Sequence, residues 1–443
     1  MDRRHFLLGA WLTGAGRLRS WAEVDRPNVL IVLADGWRAQ SLPAEGKASL
    51  RVPHFQRLSA ESVVFTRAYT PYPSCGPARA ALLTGFYPHR YGLLRDGIRL
   101  SNTVTTIARY ASRAGYVTGF IGRWALDGPD EPGFVPPERR HGFAEWAAYN
   151  QGTRWYGSVY FRDMPEPLRA EGFEPDHQTA LAIEFCTRHR DRLFMLVLAY
   201  GPPHPPRVAP PEWLELYARV PLEVAANVPA SQLEQARQAL RAYYAACSAV
   251  DACLGKLLEA LEQLELSQRT VVVFTADHGD LLGAHGQDGA SSFYEESIRV
   301  PLLVRHPKQR RSPRQVHSLV SLVSLAPTVL SWLGIPEATG DAGPLPLHQS
   351  TPPTEAEESV YCYGRLGAPD EWRAIVRGWD KLVVDRELNP THLFNLALDP
   401  YELDNLVQER SERRKRDELL ARLKVWMQRL GDRILPSGLK VRD

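Results

Sequence analysis

Four apolar runs, 28–34, 116–121, 193–200 and 270–276, constrain the folding of this 443-residue chain more than any other feature. Each is continuous rather than alternating and rich in Val, Ile, Leu and Ala, the pattern of a strand buried on both faces of a parallel sheet. The intervals leave room for helical crossovers. One helix is plain at 232–264, where Leu233, Leu240, Tyr244, Leu254, Leu257, Leu258, Leu261 and Leu264 recur at helical spacing just before the fourth run. Strands alternating with helices imply an α/β fold with a mostly parallel, doubly wound sheet, and such sheets bind ligands beyond the carboxyl ends of their strands. After the runs stand Asp35; Gly122 and Arg123; the Pro-rich 201–206 with His204; and Asp277 with His278. Four strand ends therefore deliver polar groups to one edge.

The catalytic domain is expected over 25–335. The stretch 336–358 is rich in Pro, Gly, Thr and Glu without apolar periodicity and reads as a linker. A smaller C-terminal α+β subdomain follows over 359–443, with strands near 373–376 and 381–384 and a charged helix near 409–430 carrying Leu419, Leu420, Leu423 and Trp426. Residues 1–22 read as an address. Arg3 and Arg4 precede Phe6, Leu7 and Leu8, which resembles a twin-arginine signal peptide; the apolar run is too short to span about 30 Å of hydrocarbon, and Ser20 and Ala22 are small residues suited to cleavage. The expectation is export by the twin-arginine machinery to the bacterial periplasm or beyond, with no stable membrane span in the mature chain. With 53 Lys+Arg against 51 Asp+Glu, no excess of charge points to nucleic acid. No lysine lies between Lys47 and Lys256, so a cation needed there must be Arg or His. The five cysteines have neither disulfide-scaffold nor zinc spacing.

Cys75 opens a helix that Pro77 starts and Gly85 stops. A helix N-terminus offers free N–H groups and a positive dipole end, suited to a thiolate or an anion, and Arg79 shares its face. Cys75-x-Pro77-x-Arg79, continued by Ala80-Ala81-Leu82-Leu83-Thr84-Gly85, resembles the sulfatase signature, whose cysteine a formylglycine-generating enzyme oxidises. Thr275-Ala276-Asp277-His278-Gly279 and Tyr294-Glu295-Glu296-Ser297-Ile298-Arg299-Val300-Pro301 resemble the second half of that site, and Leu393-Phe394-Asn395-Leu396 with Asp399-Pro400 resembles the family's small domain. The resemblance implies an alkaline-phosphatase-like fold and Ca²⁺ held by Asp35, Asp277, His278 and an oxygen of formylglycine at Cys75. It also implies that the hydrated aldehyde attacks sulfur, that Arg79 and the metal neutralise the anion, and that His204 protonates the leaving alcohol. Cys75 is expected to face the surface.

Departures accompany the matches. Gly36 stands where the family has a second consecutive aspartate, so the metal is expected to be weakly held; Arg123 and Ala125 replace a lysine and a histidine; Ala290 replaces a sulfate-binding lysine. Asp280 and His285 are nearby groups expected to support the site or lie at its surface. The implied substrate is a sulfated small molecule or glycan. Two other readings stay open: a phosphodiester or phosphonate monoester hydrolase, and a degenerate sulfatase that binds an anionic glycan. Specificity is expected in loops 129–163 and 205–229, with Trp146, Trp155, Tyr156 and Tyr160 as ring-stacking or core aromatics.

Overall fold

The computed structural model describes residues 26–42, 49–309, 314–335, 340–347 and 359–433. The address at 1–22 and most of the expected linker lie outside them. Among the described residues the central sheet contains β1 (Asn28–Ala34), β2 (Val63–Tyr69), β3 (Val117–Arg123), β4 (Glu145–Tyr149), β5 (Phe194–Tyr200), β6 (Thr270–Thr275), β7 (Arg299–Arg305), β8 (Arg314–Val316) and β9 (Val320–Ser321). The order is β8-β2-β7-β6-β1-β5-β3-β4, with β9 also on β2. Every residue of β1, β3, β5 and β6 is buried, which is why their sequences are continuously apolar.

Parallel pairing joins β6, β1, β5, β3 and β4, whereas β7 runs antiparallel to both β6 and β2. Because only β7 is reversed, the carboxyl ends of β1, β2, β3, β5 and β6 open on one edge. The helices include α1 (Pro53–Ala60), α2 (Cys75–Thr84), α3 (Ile107–Arg113), α4 (Glu174–Arg188), α5 (Pro211–Ala218) and α6 (Leu233–Gln263). α6 packs across α1, α4 and α5 and turns Leu240, Leu254, Leu257, Leu258 and Leu261 into the main core, while Leu233 at its start is exposed. α7 (Glu295–Ile298) and α8 (Leu325–Trp332) complete the body.

An antiparallel sheet of β10 (Ser359–Gly364), β11 (Trp372–Arg377), β12 (Asp380–Val384) and β13 (Pro390–Asn395) forms the C-terminal subdomain with α9 (Arg413–Leu430). One face of that sheet packs with α9, Tyr72, Ala81 and Tyr87, and the other with Tyr69 and Ile298, so its two apolar clusters both include residues of the main body. Three expectations need correction. The expected loop 129–163 supplies β4, the expected loop 205–229 contains α5, and the C-terminal helix begins at Arg413, after two short 3₁₀ turns.

Candidate active site

Six residues after β2 the chain enters α2, with Cys75 as its first residue and Gly85 at φ +77°, the left-handed stop that a glycine adopts at little cost. The α2 start is capped from a distance, since Asp96 accepts the Gly76 N–H and the Ser74 hydroxyl, each at 2.6 Å. Cys75 is only 3% exposed, contrary to the expected surface position, because charged groups from three strand ends close over it. Arg123 at the end of β3 brings Nη1 to 3.3 Å from Sγ, His278 after β6 brings Nε2 to 3.2 Å, and Asp35 after β1 brings Oδ1 to 3.6 Å. Burial alone would raise the Cys75 pKa, but the Arg123 guanidinium foremost, with His278, reverses this and holds the thiol below its usual range.

Arg79, one helical turn into α2, donates from Nε to Asp277 Oδ2 and from Nη2 to Asp35 Oδ2, both at 2.9 Å. It thereby ties together the ends of β1 and β6. Asp35 Oδ2 also accepts from Arg123 Nη1 at 2.6 Å. Although burial opposes its charge, His204, the two arginines and His278 keep the Asp35 carboxyl far below the ordinary carboxylate range. His278 Nδ1 lies 2.8 Å from the Gly279 carbonyl, an acceptor, so Nδ1 carries a proton and Nε2 faces Cys75. His204, in the loop after β5, holds Nδ1 2.7 Å from the Pro205 carbonyl. Burial lowers its basicity, yet Asp35 and Cys75 outweigh that and raise its pKa to about 9.

One ligand atom each from Asp35, Cys75, Asp277 and His278 lies within 4.8 Å of the others. This donor set fits a divalent cation, for two buried carboxylates supply hard oxygens and negative charge while imidazole Nε2 and the atom at position 75 face the same space. It is poorer in oxygen than the resemblance implies. Gly36 has φ +76° and no side chain, and its carbonyl already accepts the Tyr243 hydroxyl at 2.9 Å. Buried Arg123 Nε has no acceptor among the described residues and remains a donor for an anion.

All seven residues singled out from the sequence, Asp35, Cys75, Arg79, Arg123, His204, Asp277 and His278, thus meet at one edge. Asp280 and His285 do not join them. Asp280 is buried and accepts Arg207 through both oxygens at 2.8 Å, while His285 stacks on Tyr294 at 3.5 Å between ring centroids. Sequence reasoning missed Gln151, which accepts Arg123 Nη2 at 3.1 Å and stands two residues past β4; recognising that strand would have found it. It also missed Asp96, which no local pattern marks. Trp146 and Trp155 are core residues, the latter donating to the His204 and Pro206 carbonyls at 3.2 and 2.8 Å, whereas Tyr156 is exposed.

Similarity to known proteins extends over most of the chain. The sulfatase family model matches residues 27–335, and a model of the N-sulphoglucosamine sulphohydrolase C-terminal region matches 283–429. The chain is 29% identical over 422 residues to an ulvan-active sulfatase of Formosa agariphila, covering 93% of this chain and 83% of that protein. It is 30% identical over 351 residues to the uncharacterized sulfatase YidJ of Escherichia coli K12, covering 70% and 69%. The crystal structure of yidJ from Bacteroides fragilis superposes with a TM-score of 0.86 at 27% identity, covering 92% of this chain and 97% of that one.

Proposed function

Because the chain belongs to the sulfatase family, we propose that it is a sulfuric ester hydrolase acting at position 75, with that cysteine converted to formylglycine and Ca²⁺ bound beside it. The observation that carries this reading is the enclosure of Cys75 by Arg79, Arg123, His204 and His278, with Asp35 and Asp277 balancing the charge. Formylglycine at position 75 would supply a hydroxyl nucleophile, and Ca²⁺, which Asp35, Asp277 and His278 would hold, would supply positive charge for the anion. The chain's own residues do the rest. Arg79 fixes the two carboxylates, Arg123 presents cationic N–H groups beside position 75, and the α2 N-terminus adds its dipole where a sulfate oxygen would lie. His204 holds a proton that the departing alcohol can take.

Ala125 and Ala290 leave Arg123 to do work that three side chains share in the family pattern. Retained turnover therefore depends on that guanidinium. The test is co-expression with a formylglycine-generating enzyme, mass spectrometry of the peptide spanning Cys75, and assay on aryl sulfate and aryl phosphate esters. Stoichiometric conversion with preferential sulfate release supports the reading; conversion without turnover makes the protein a sulfated-glycan binder, and faster phosphate-ester release moves it to the sister chemistry. We further propose export from the cytoplasm through Arg3 and Arg4. A reporter behind residues 1–30 should be exported, and changing both arginines to lysine should retain it in the cytoplasm.

A further inference from the structure

A short segment after β4 joins the two halves of the site. Gln151 holds Arg123 Nη2 at 3.1 Å, and four residues later Trp155 donates its indole N–H to the carbonyls of His204 and Pro206. The chain between them therefore bridges from the cation beside Cys75 to the loop that carries the proton donor. Against this bridge opens a cavity of about 460 Å³, lined by Glu131, Tyr149, Gln151, Arg154, Ser158 and Arg169 among others. Its volume is that of a small-ligand site.

The charges in the wall are unequal. Arg154 and Arg169 are both exposed, Arg169 reaches only the Gly157 carbonyl at 3.5 Å, and neither pairs with a carboxylate among the described residues. Among the described residues, Glu131 is the only acidic one in the lining. Beneath the wall Glu174 accepts the Tyr149 hydroxyl at 3.3 Å, and burial pushes its carboxyl up to about 8, so it is protonated at neutral pH and adds no negative charge. Two unpaired planar guanidinium groups suit carboxylate or sulfate, which they can grip through two parallel hydrogen bonds.

We propose that this cavity receives the leaving alcohol and that Arg154 and Arg169 select alcohols bearing a second anionic group, a ring carboxylate or a further sulfate. The proposal rests on the sulfate-ester reading above. Its test uses three disaccharides that share one sulfate ester: one otherwise neutral, one with a uronate carboxylate and one with a second sulfate. Their kcat/KM values are compared in the formylglycine-bearing protein and in the Arg154→Gln/Arg169→Gln variant. Calorimetric binding to the corresponding Cys75→Ala proteins, with melts to confirm folding, provides a second readout. The parent should prefer a diacidic disaccharide, and the double variant should lower that preference at least tenfold, with the preferred member identifying the group. An unchanged preference, an equal loss on all three sugars, or no binding of any would overturn the proposal. Absence of turnover with the calorimetric preference intact would sink the sulfate-ester reading and leave the subsite standing.

Discussion

At the level of single residues, Cys75 sits among charges rather than in an apolar pocket, so its contribution is chemical. Cys75→Ala should lower sulfate-ester turnover by about three orders of magnitude or more, since a nucleophile's removal cannot be compensated by its neighbours. The thermal melt should stay close to that of the parent; turnover at the parental rate would exclude the formylglycine route. Gly36 is the opposite case, a residue whose absent side chain matters. An added Cβ would lie 3.5 Å from the His204 backbone, which leaves room, but φ is +76°. Aspartate tolerates that region better than most residues, so Gly36→Asp should cost about 1 kcal/mol in stability without calcium. A returned carboxylate should also tighten calcium about tenfold, the scale of one charge-assisted contact. Calorimetry with melts at matched calcium separates the two effects, and equal affinity in both proteins would mean that Asp35 does not mark a metal site.

At the level of elements, α4 begins at Glu174, a buried carboxyl against Tyr149 at the end of β4. Its pKa is raised by burial from 4.5 to about 8. Between those values the unfolded chain has lost the proton that the folded chain keeps, so stability falls as pH rises, by up to about 1.4 kcal/mol per pH unit. Glu174→Gln removes this titration while keeping an acceptor for Tyr149. Urea unfolding should find the variant more stable at pH 7.5 by on the order of 2 kcal/mol relative to its difference at pH 5, and a gap that does not widen with pH would refute a protonated Glu174. This is also the region that the sequence disclosed least. β1, β3, β5 and β6 were legible because strands covered on both faces must be apolar throughout, and their polar sequels therefore stood out as site residues. β4 was not, since it is five residues long with Glu145 at its start and lies within Pro- and Gly-rich chain, so Gln151 and the cavity beside it had no readable signal. Asp96 reaches α2 from twenty residues away, and such a cap leaves no local pattern.

At the level of the whole molecule, the small sheet is joined to the site by a buried cation. Lys381 on β12 donates to the Phe293 carbonyl at 2.9 Å and to Glu295 at 3.2 Å, and it also pairs with Glu402. Ser291, just before this segment, donates its N–H to the Pro73 carbonyl at 3.0 Å, two residues from Cys75. Lys381→Met would take a buried donor from Glu295 and from Glu402, whose carboxyl burial pushes up to about 8, a loss of about 1–3 kcal/mol by the usual cost of leaving a buried acceptor unsatisfied. Urea unfolding of the full chain measures it, and a loss under about 1 kcal/mol would show that the cluster does not secure the subdomain. The burial of Cys75 also sets a timetable. A folded chain offers an oxidising enzyme little access to a side chain that is 3% exposed. The groups against its sulfur include Arg123 and His278, which are synthesised after position 75. Under the formylglycine reading proposed above, the oxidising enzyme would have to reach position 75 before Arg123 and His278 close over it.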